Sequence, residues 1–312
     1  MSFPTTLVLV LLASYGLSNL LLSGVVAAGW RTGGFARLKR ADALLALRVL
    51  PAAGATLVVL TVVLPAFLLY EPAHADDRPG PLLVLAAGLT LLVCLDGIRR
   101  TWQAARAARA LVHRAELLRT EAFADGPEVN LVNLAEPVVA VVGGWRQRIV
   151  AAHCVAAACD GEEFRQVVAH EAAHIDARDN LKRLALLAVP DVLAWLPAGR
   201  ALNAQWQAAT EIEADERASG ADPRKRVALA SALIKVARLA IAGPRPARTG
   251  RASGPGGALE QRIKRLLGPS AGRPRAFPGR RVATSALLAP LLAVPLYAFV
   301  HRVIEFLVAF GR

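Results

Sequence analysis

Residues 161–177, GEEFRQVVAHEAAHIDA, decide the fold of the central part of the chain, because they predict one uninterrupted helix. Acidic residues stand at its start, where the helix dipole favours negative charge, and no Pro or Gly occurs between Glu162 and Ala177. His170 and His174 are four residues apart and therefore lie on one face of this helix. The pattern predicts a helix that directs two imidazole rings at the same point in space.

The five residues 170–174 read HEAAH, which is the pattern H-E-x-x-H. In this pattern two histidines bind one zinc ion, while the glutamate, here Glu171, faces the water on the metal and can take its proton. Zinc lowers the pKa of such a water to about 7, which makes it a nucleophile at neutral pH. A pattern this short also occurs by chance in alanine-rich helices, so its context has to support it.

A catalytic zinc needs a third protein ligand, and the segment 210–218, TEIEADERA, offers candidates on a predicted helix. Glu211 and Asp215 are four residues apart and share a face, whereas Glu213 points elsewhere. We expect Glu211 to bind the metal and Asp215 to accept a hydrogen bond from a ligand imidazole, because metal-binding histidines normally donate their other N–H to a carboxylate. The alternative is an acidic, solvated helix face.

Four stretches of the chain are nearly free of charge and about as long as a bilayer core requires, which is roughly 17–25 residues, although Pro81–Leu95 reaches this length only if Asp96 and Gly97 lie at the interface. These stretches are Thr5–Ala28, Val49–Tyr70, Pro81–Leu95 and Ala283–Val300. A single apolar run can be a buried core helix, but four in a chain that is 55% hydrophobic predict a membrane protein. The first run lacks a basic segment before it and exceeds the length of a signal-peptide core, so we interpret it as a retained anchor.

The formal net charge of +13 is concentrated next to the apolar runs. Basic residues cluster in 31–40, 99–119 and 245–281. Positive flanks are typical of the cytoplasmic side of a membrane and also bind anionic lipid headgroups. They predict an N-terminus outside, 30–48 inside, 71–80 outside, 99–281 inside and a C-terminus outside. No nucleic-acid reading motif occurs among these basic residues, so we expect the lipid bilayer and no nucleic acid as a partner.

Between the third and fourth runs the sequence predicts further helices and one small β element. Arg99–Ala122 favours a helix that continues the third run. Val138–Val142, a Gly-Gly turn and Arg148–Val150 predict a hairpin, whose open edge either pairs with an extended substrate or is simply packed. Residues 180–195 are apolar enough for a fifth crossing, but Pro190-Asp191 favours a pair of buried or interfacial helices. Helices are also predicted over Leu202–Ser219, Pro223–Ala242 and Ala258–Leu267.

The sequence AHEAAHIDARDNL (169–181) followed by EIEADERA (211–218) resembles the membrane metallopeptidases of families M48 and M56, the second of which includes antibiotic-sensing receptors. Arg178-Asp179-Asn180 is similar to the segment that follows the second histidine in the M56 group. Residues 137–150 resemble the strand pair before the helix, and ALEQRIKRLL (258–267) resembles a recurrent segment after the ligand helix. We find no counterpart of the extracellular penicillin-binding sensor and no Ser-x-x-Lys nucleophile, so we do not expect β-lactam sensing.

The resemblance implies a zincin-like fold with one Zn²⁺ ion. Carried over residue by residue, it places the metal on His170, His174 and Glu211 and makes Glu171 the catalytic base. Asp215 would support a ligand imidazole, and Asp179 would help to orient the helix. No residue that stabilises an oxyanion can be identified from the sequence.

Together these features predict a mainly α, integral-membrane protein with about four transmembrane helices and a zincin-like catalytic domain that carries a small β element. The expected divisions are three spans in 1–98, a cytoplasmic peptidase domain in 99–240, a Gly/Pro/Arg-rich segment in 241–281 and a final span in 282–312. We expect a multi-pass cell-membrane endopeptidase that cleaves protein or peptide substrates at the cytoplasmic face. Two alternatives remain open: a non-catalytic receptor or scaffold with a peptidase-like fold, and a lipid-binding membrane protein with a chance motif.

Overall fold

A computed structural model describes residues 3–70, 79–121, 127–143, 147–242 and 255–268 of the chain. This part is mainly helical and contains one small sheet. The predicted span at 283–300, the loop at 71–78 and most of the segment 241–281 lie outside the described residues.

Three helices of the described part are long and apolar enough to cross a membrane. They are α1 (Phe3–Arg31), α2 (Ala41–Val58) extended by a π-helical turn (Val59–Val63) and α3 (Leu64–Tyr70), and α4 (Pro81–Arg114). Their outward faces carry leucines such as Leu21, Leu60 and Leu85, each more than half exposed. Because contiguous exposed apolar surface is unfavourable in water, these three helices indicate association with a membrane.

The helix predicted over Arg99–Ala122 is wrong in its second part. Helix α4 ends at Arg114, and Glu116–Glu121 forms strand β1, which pairs antiparallel with β2 (Val129–Asn133). The residues ELLRTE favour a helix locally, but a strand partner later in the chain satisfies their backbone groups instead.

Strands β3 (Val139–Val142) and β4 (Arg148–Ala152) form the predicted hairpin. The sheet of the described residues has the order β1-β2-β4-β3, with β2 and β4 parallel. One apolar face of the sheet packs on the helix that carries the histidines. Strand β3 is the last strand in the order and therefore forms an edge of the sheet beside that helix. The packed residues are Val129, Leu131, Ile149, Ala151, Phe164 and Val168.

The helices after the sheet carry most of the site. They are α5 (His153–Ala158), α6 (Gly161–Ala177), α7 (Asp179–Ala188), a 3₁₀ turn (Val192–Trp195), α8 (Pro197–Ser219), α9 (Pro223–Ala242) and α10 (Pro255–Leu267). Helix α7 has only 10 residues, too few for a fifth crossing, and Pro190 and Asp191 separate it from the 3₁₀ turn.

Helix α6 begins in a capping box, which fixes its first turn. Asp160 Oδ1 accepts hydrogen bonds from the backbone N–H groups of Glu162 and Glu163, both at 2.9 Å. The Glu163 side chain accepts from the Asp160 N–H at 2.8 Å and also from Ser231 and Lys235 of α9, both at 2.6 Å. The start of the histidine helix is therefore tied to α9 as well as capped.

Two sets of polar contacts among the described residues join the candidate spans to α8. In the first, Arg48 of α2 forms a buried ion pair with Asp191 and donates from Nε to Asn203 Oδ1 at 2.8 Å. We call Arg48, Asp191 and Asn203 the membrane-side cluster. In the second, the backbone N–H of Ala41, at the start of α2, donates to Glu213 Oε1 at 2.9 Å. Glu213 thus faces away from the histidines, as its spacing predicted, and caps a candidate span.

Candidate metal centre

Three side chains from two helices converge where α6 crosses α8. The Nε2 atoms of His170 and His174 are 3.2 Å apart. Glu211 Oε2 lies 3.6 Å from His170 Nε2, and Glu211 Oε1 lies 3.8 Å from His174 Nε2. These three residues form a group that can hold a metal ion.

The spacing of these atoms fits a small tetrahedral ion. Bonds of about 2.0–2.1 Å at tetrahedral angles place neighbouring ligand atoms about 3.4 Å apart. The separations of 3.2, 3.6 and 3.8 Å lie close to that value. Two nitrogens and one carboxylate oxygen also form a donor set that zinc accepts.

The other ring nitrogen of each histidine faces a carboxylate. His170 Nδ1 lies 3.0 Å from Asp215 Oδ1, and His174 Nδ1 lies 2.8 Å from Asp179 Oδ2. An ionised carboxylate only accepts hydrogen bonds, so the proton of a neutral ring sits on Nδ1 and the lone pair on Nε2. Both lone pairs then face one another, which is the arrangement that a metal ion requires and that neutral rings alone would avoid. We call His170, His174, Glu211, Asp215 and Asp179 the metal-site cluster.

The charges of the cluster shift the protonation of its members. Burial by itself lowers the pKa of His170, but the carboxylates of Asp215 and Glu211 raise it to about 9. Burial raises the pKa of Glu211, whereas its contact with His170 and the charge of Arg262 bring it down to about 2. In the metal-free protein a proton on His170 therefore relieves the excess of negative charge around the histidines.

Glu171 lines the cavity beside the histidines but is not one of the three converging ligands. Burial raises the pKa of its carboxyl group, and the charges of His170 and His174 and a hydrogen bond from the Val141 backbone oppose that rise. A carboxylate held next to the metal site without binding it has the position that proton transfer requires.

Some of the backbone hydrogen-bonding groups on the outer edge of β3 already have partners within the protein. Val141 donates its N–H to Glu171 and accepts a hydrogen bond from Asn180 Nδ2 at 2.8 Å. Val138 accepts from Ala152 on the other side at 2.8 Å, so alternate residues face β4 and the outer edge. Val139 is therefore the position of β3 at which an extended peptide can still pair. Strand addition stays a prediction, restricted to this part of the edge.

A cavity of about 1420 Å³ adjoins the metal-site cluster. Strand β3 forms one wall, and the neighbouring helices give the rest of it a mixed character. Helix α9 contributes Leu229, Leu233 and Val236, whereas α7 and α8 contribute Arg183, Arg200 and Asn203. Such a groove can hold apolar and polar parts of one ligand at the same time.

Arg262 of α10 is a site residue that the sequence did not reveal. Its Nε and Nη2 atoms donate to the two carboxylate oxygens of Asp215, both at 2.7 Å, and its Nη1 lies 2.9 Å from Glu211 Oε2. In the sequence it lies on a predicted helix, 258–267, which resembles a segment that follows the ligand helix in the metallopeptidases, but neither feature showed which acidic group it contacts. The structure brings together all six residues singled out beforehand and adds Arg262, Asn180 and Val141.

Comparisons with protein-family models, curated proteins and solved structures found no match to this chain. Its function therefore has to be inferred from the site itself.

Proposed function

We propose that the protein is a zinc-dependent endopeptidase of the membrane, which cleaves peptide bonds of protein substrates beside the bilayer. The convergence of the His170 and His174 Nε2 atoms at 3.2 Å, with a carboxylate oxygen within 3.0 Å of each Nδ1, carries this proposal. A set of solvated acidic and basic residues has no reason to direct two lone pairs at one point.

Zinc held by His170, His174 and Glu211 would supply a Lewis acid for the attacking water and the peptide carbonyl. Glu171 takes a proton from the attacking water as the water oxygen forms a bond to the carbonyl carbon. The same carboxyl group then delivers the proton to the leaving nitrogen as the C–N bond breaks, so it ends the cycle ionised. Asp215 and Asp179 keep the two imidazoles in the tautomer that binds metal.

The raised pKa of Glu171 supports its role as base. A carboxylate at its ordinary pKa is a weak base at neutral pH, and burial brings its proton affinity closer to the working pH. The carboxyl group also accepts the backbone N–H of Val141. That bond orients Glu171 without involving the metal ligands.

A peptide substrate suits the size and the walls of the cavity. At about 1420 Å³ it exceeds the roughly 300–1,000 Å³ that is usual for a small-molecule pocket. Val139 offers main-chain pairing to an extended chain, and the apolar and basic walls offer contacts to side chains on either side of the bond. The basic flanks of the spans favour a cytoplasmic orientation of this groove.

Metal content and hydrolysis, measured on protein reconstituted in lipid nanodiscs, test this proposal. We expect about one zinc per chain in the wild type, no retained zinc in Glu211→Ala, and full zinc without hydrolysis of a peptide library in Glu171→Gln. Glu216→Gln makes the same chemical change on an exposed face of α8 and should retain both properties.

The outcomes separate the alternatives. Zinc binding without hydrolysis by the wild type would favour a metal-containing scaffold over an enzyme. Full zinc occupancy in Glu211→Ala would show that the third ligand lies elsewhere, and a wild type that binds no zinc would reject the proposal.

A further inference from the structure

Arg262 contacts three carboxylate oxygens at the metal-site cluster. Two of its donors hold Asp215 in a bidentate ion pair, and the third lies 2.9 Å from Glu211 Oε2. The Arg262 side chain is 14% exposed and the Asp215 side chain 5%, so solvent competes little for either group. A buried, bidentate arginine–carboxylate pair is both directional and strong.

These contacts reach two of the three proposed ligands. Glu211 is contacted directly, and His170 is reached through Asp215, whose Oδ1 also faces His170 Nδ1 at 3.0 Å. The last torsion of a glutamate side chain is broad, so a free carboxylate would sample many orientations. A fixed donor at Oε2 removes that freedom before any metal arrives. An arginine does this better than a lysine because its planar fork holds both carboxylates in one geometry.

Arg262 also limits the negative charge of the site. Glu171, Glu211 and Asp215 bring three carboxylates close to the histidines, and Arg262 is the arginine that pairs with two of them. The position of Arg262 offsets the repulsion between Glu211 and Asp215, which lie one helical turn apart on α8.

Helix α10 is held in place by contacts that are separate from these carboxylates. Leu266 is buried against Leu229 and Ala230 of α9. Arg226 Nη2 donates to the carbonyl of Arg265 at 2.5 Å and to that of Gly268 at 2.9 Å, which caps the end of α10. The helix therefore docks through its C-terminal half and presents Arg262 to the site.

We propose that Arg262 is a positioning residue, which orients Glu211 and Asp215 for metal binding and makes the metal site depend on the docking of α10. This inference rests on the proposed metal site but not on peptide hydrolysis. The site would be assembled from two parts of the chain: α6 and α8 supply the ligands, and α10 supplies the group that orients them.

The test is the zinc dissociation constant of full-length protein, measured by competition with a chromophoric chelator. Loss of a group that orients metal ligands weakens binding by ~10–100-fold, which is the effect expected for Arg262→Ala. Arg262→Lys keeps the charge but not the fork and should fall between Arg262→Ala and the wild type. Arg265→Ala lies on the same helix, 51% exposed, and should bind zinc like the wild type.

Two further readouts distinguish positioning from a general loss of structure. Guanidinium ion, added below denaturing concentrations, should restore zinc affinity to Arg262→Ala but not to Glu211→Ala. Cobalt-loaded Arg262→Ala should show a visible spectrum that differs from the wild type, because the third ligand is no longer fixed. Should Arg262→Ala fail to fold, Arg262→Lys still gives the affinity comparison.

The inference is overturned if Arg262→Ala and Arg262→Lys bind zinc with the wild-type dissociation constant, or if Arg265→Ala loses as much affinity as Arg262→Ala. A wild type that binds zinc but hydrolyses no peptide would overturn the proposed function instead. In that case the affinities of the Arg262 variants still decide the present inference.

Discussion

Two groups of charges contact α8 at different positions, the first at Asn203 and the second at Glu211 and Asp215, and they differ in how their charges are balanced. In the membrane-side cluster Arg48 and Asp191, 1% and 0% exposed, neutralise each other, and Asn203 satisfies another donor of Arg48. In the metal-site cluster the carboxylates of Glu211, Asp215 and Asp179 lie beside two imidazoles whose Nε2 atoms are 3.2 Å apart, and Arg262 offsets part of their charge. In the first cluster the two charges match, whereas the atoms of the second converge on a point that can take up a proton or a metal ion.

This difference separates a structural role from a chemical one. A buried ion pair with matched charges contributes little net stability but makes either partner costly to remove alone. Convergent metal-binding atoms with shifted pKa values beside a large cavity are instead typical of a site that binds a ligand. We therefore expect the membrane-side cluster to respond to mutation and the metal-site cluster to respond to metal and to pH.

The largest expected effect is on the membrane-side cluster. Arg48→Ala leaves the Asp191 carboxylate buried without a cation, with the backbone N–H of Leu193 as a remaining donor, and we expect the free energy of unfolding to fall by about 3–5 kcal/mol. The double variant Arg48→Met, Asp191→Leu removes both charges and should recover most of that loss. Chemical denaturation in nanodiscs measures both, and a single variant as stable as the wild type would contradict the pairing.

Zinc removal should have the second largest effect, and only through the metal-site cluster. At a free zinc concentration about 100 times the dissociation constant, binding contributes about 2.7 kcal/mol to stability. A chelator should therefore lower the melting temperature of the wild type but not that of His174→Ala. Equal shifts in the two proteins would mean that the stabilising metal binds elsewhere.

A carboxylate that orients a ligand should matter less than the ligand itself. Asp179→Ala removes the acceptor of the His174 Nδ1 proton at 2.8 Å, and we expect zinc affinity to fall by ~10–100-fold. Asp176→Ala changes an exposed carboxylate three residues earlier and serves as the matched control. The comparison is made by chelator competition, and identical affinities for the two variants would remove Asp179 from the site.

The smallest effect, per unit of pH, concerns the proton that zinc displaces. The pKa of His170 is raised from 6.5 to about 9 in the metal-free protein, so zinc competes with that proton over this range. Affinity should rise about tenfold per pH unit and level off near pH 9, with about one proton released per zinc near neutral pH.

The free energy of unfolding of the metal-free protein should instead fall as pH rises. The contribution of His170 is complete below pH 6.5 and is lost as pH rises through 9.

Titration calorimetry in buffers of different ionisation enthalpy measures the released proton. Asp215→Asn weakens the field that raises the pKa of His170, so its zinc affinity should level off at a lower pH. A wild-type affinity that does not change between pH 7 and pH 9 would contradict the competition.

Sequence reasoning succeeded where the chemistry is local along a helix. His170 and His174, like Glu211 and Asp215, are four residues apart and therefore lie on one face of a helix. The acidic residues at the start of α6 indicated where that helix begins, and they form its capping box. Such relations hold whatever the rest of the fold does. The same reasoning placed Glu213 on a different face, where it now caps α2.

It failed where contacts join distant parts of the chain. Glu116–Glu121 has helix-forming residues but pairs with Val129–Asn133, a partner that local propensity does not reveal. Arg262 lies 47 residues from Asp215, and nothing in its neighbours shows which acidic group it meets. The hydrogen bond from Asn180 to the outer edge of β3 at Val141 could not be predicted for the same reason, because the two residues are 39 positions apart. The predicted fourth span lies outside the described residues and stays a prediction.

The hydrogen bond between Ala41 and Glu213 has a consequence for the substrates of the proposed peptidase. It fixes the helix that carries Glu211 to the first turn of a candidate span, so the groove stays at a constant height relative to that span. An extended chain advances about 3.3–3.6 Å per residue. If the proposed peptidase acts on a substrate anchored in the same bilayer, we expect the number of residues between the anchor and the groove to select the scissile bond before side-chain preference does.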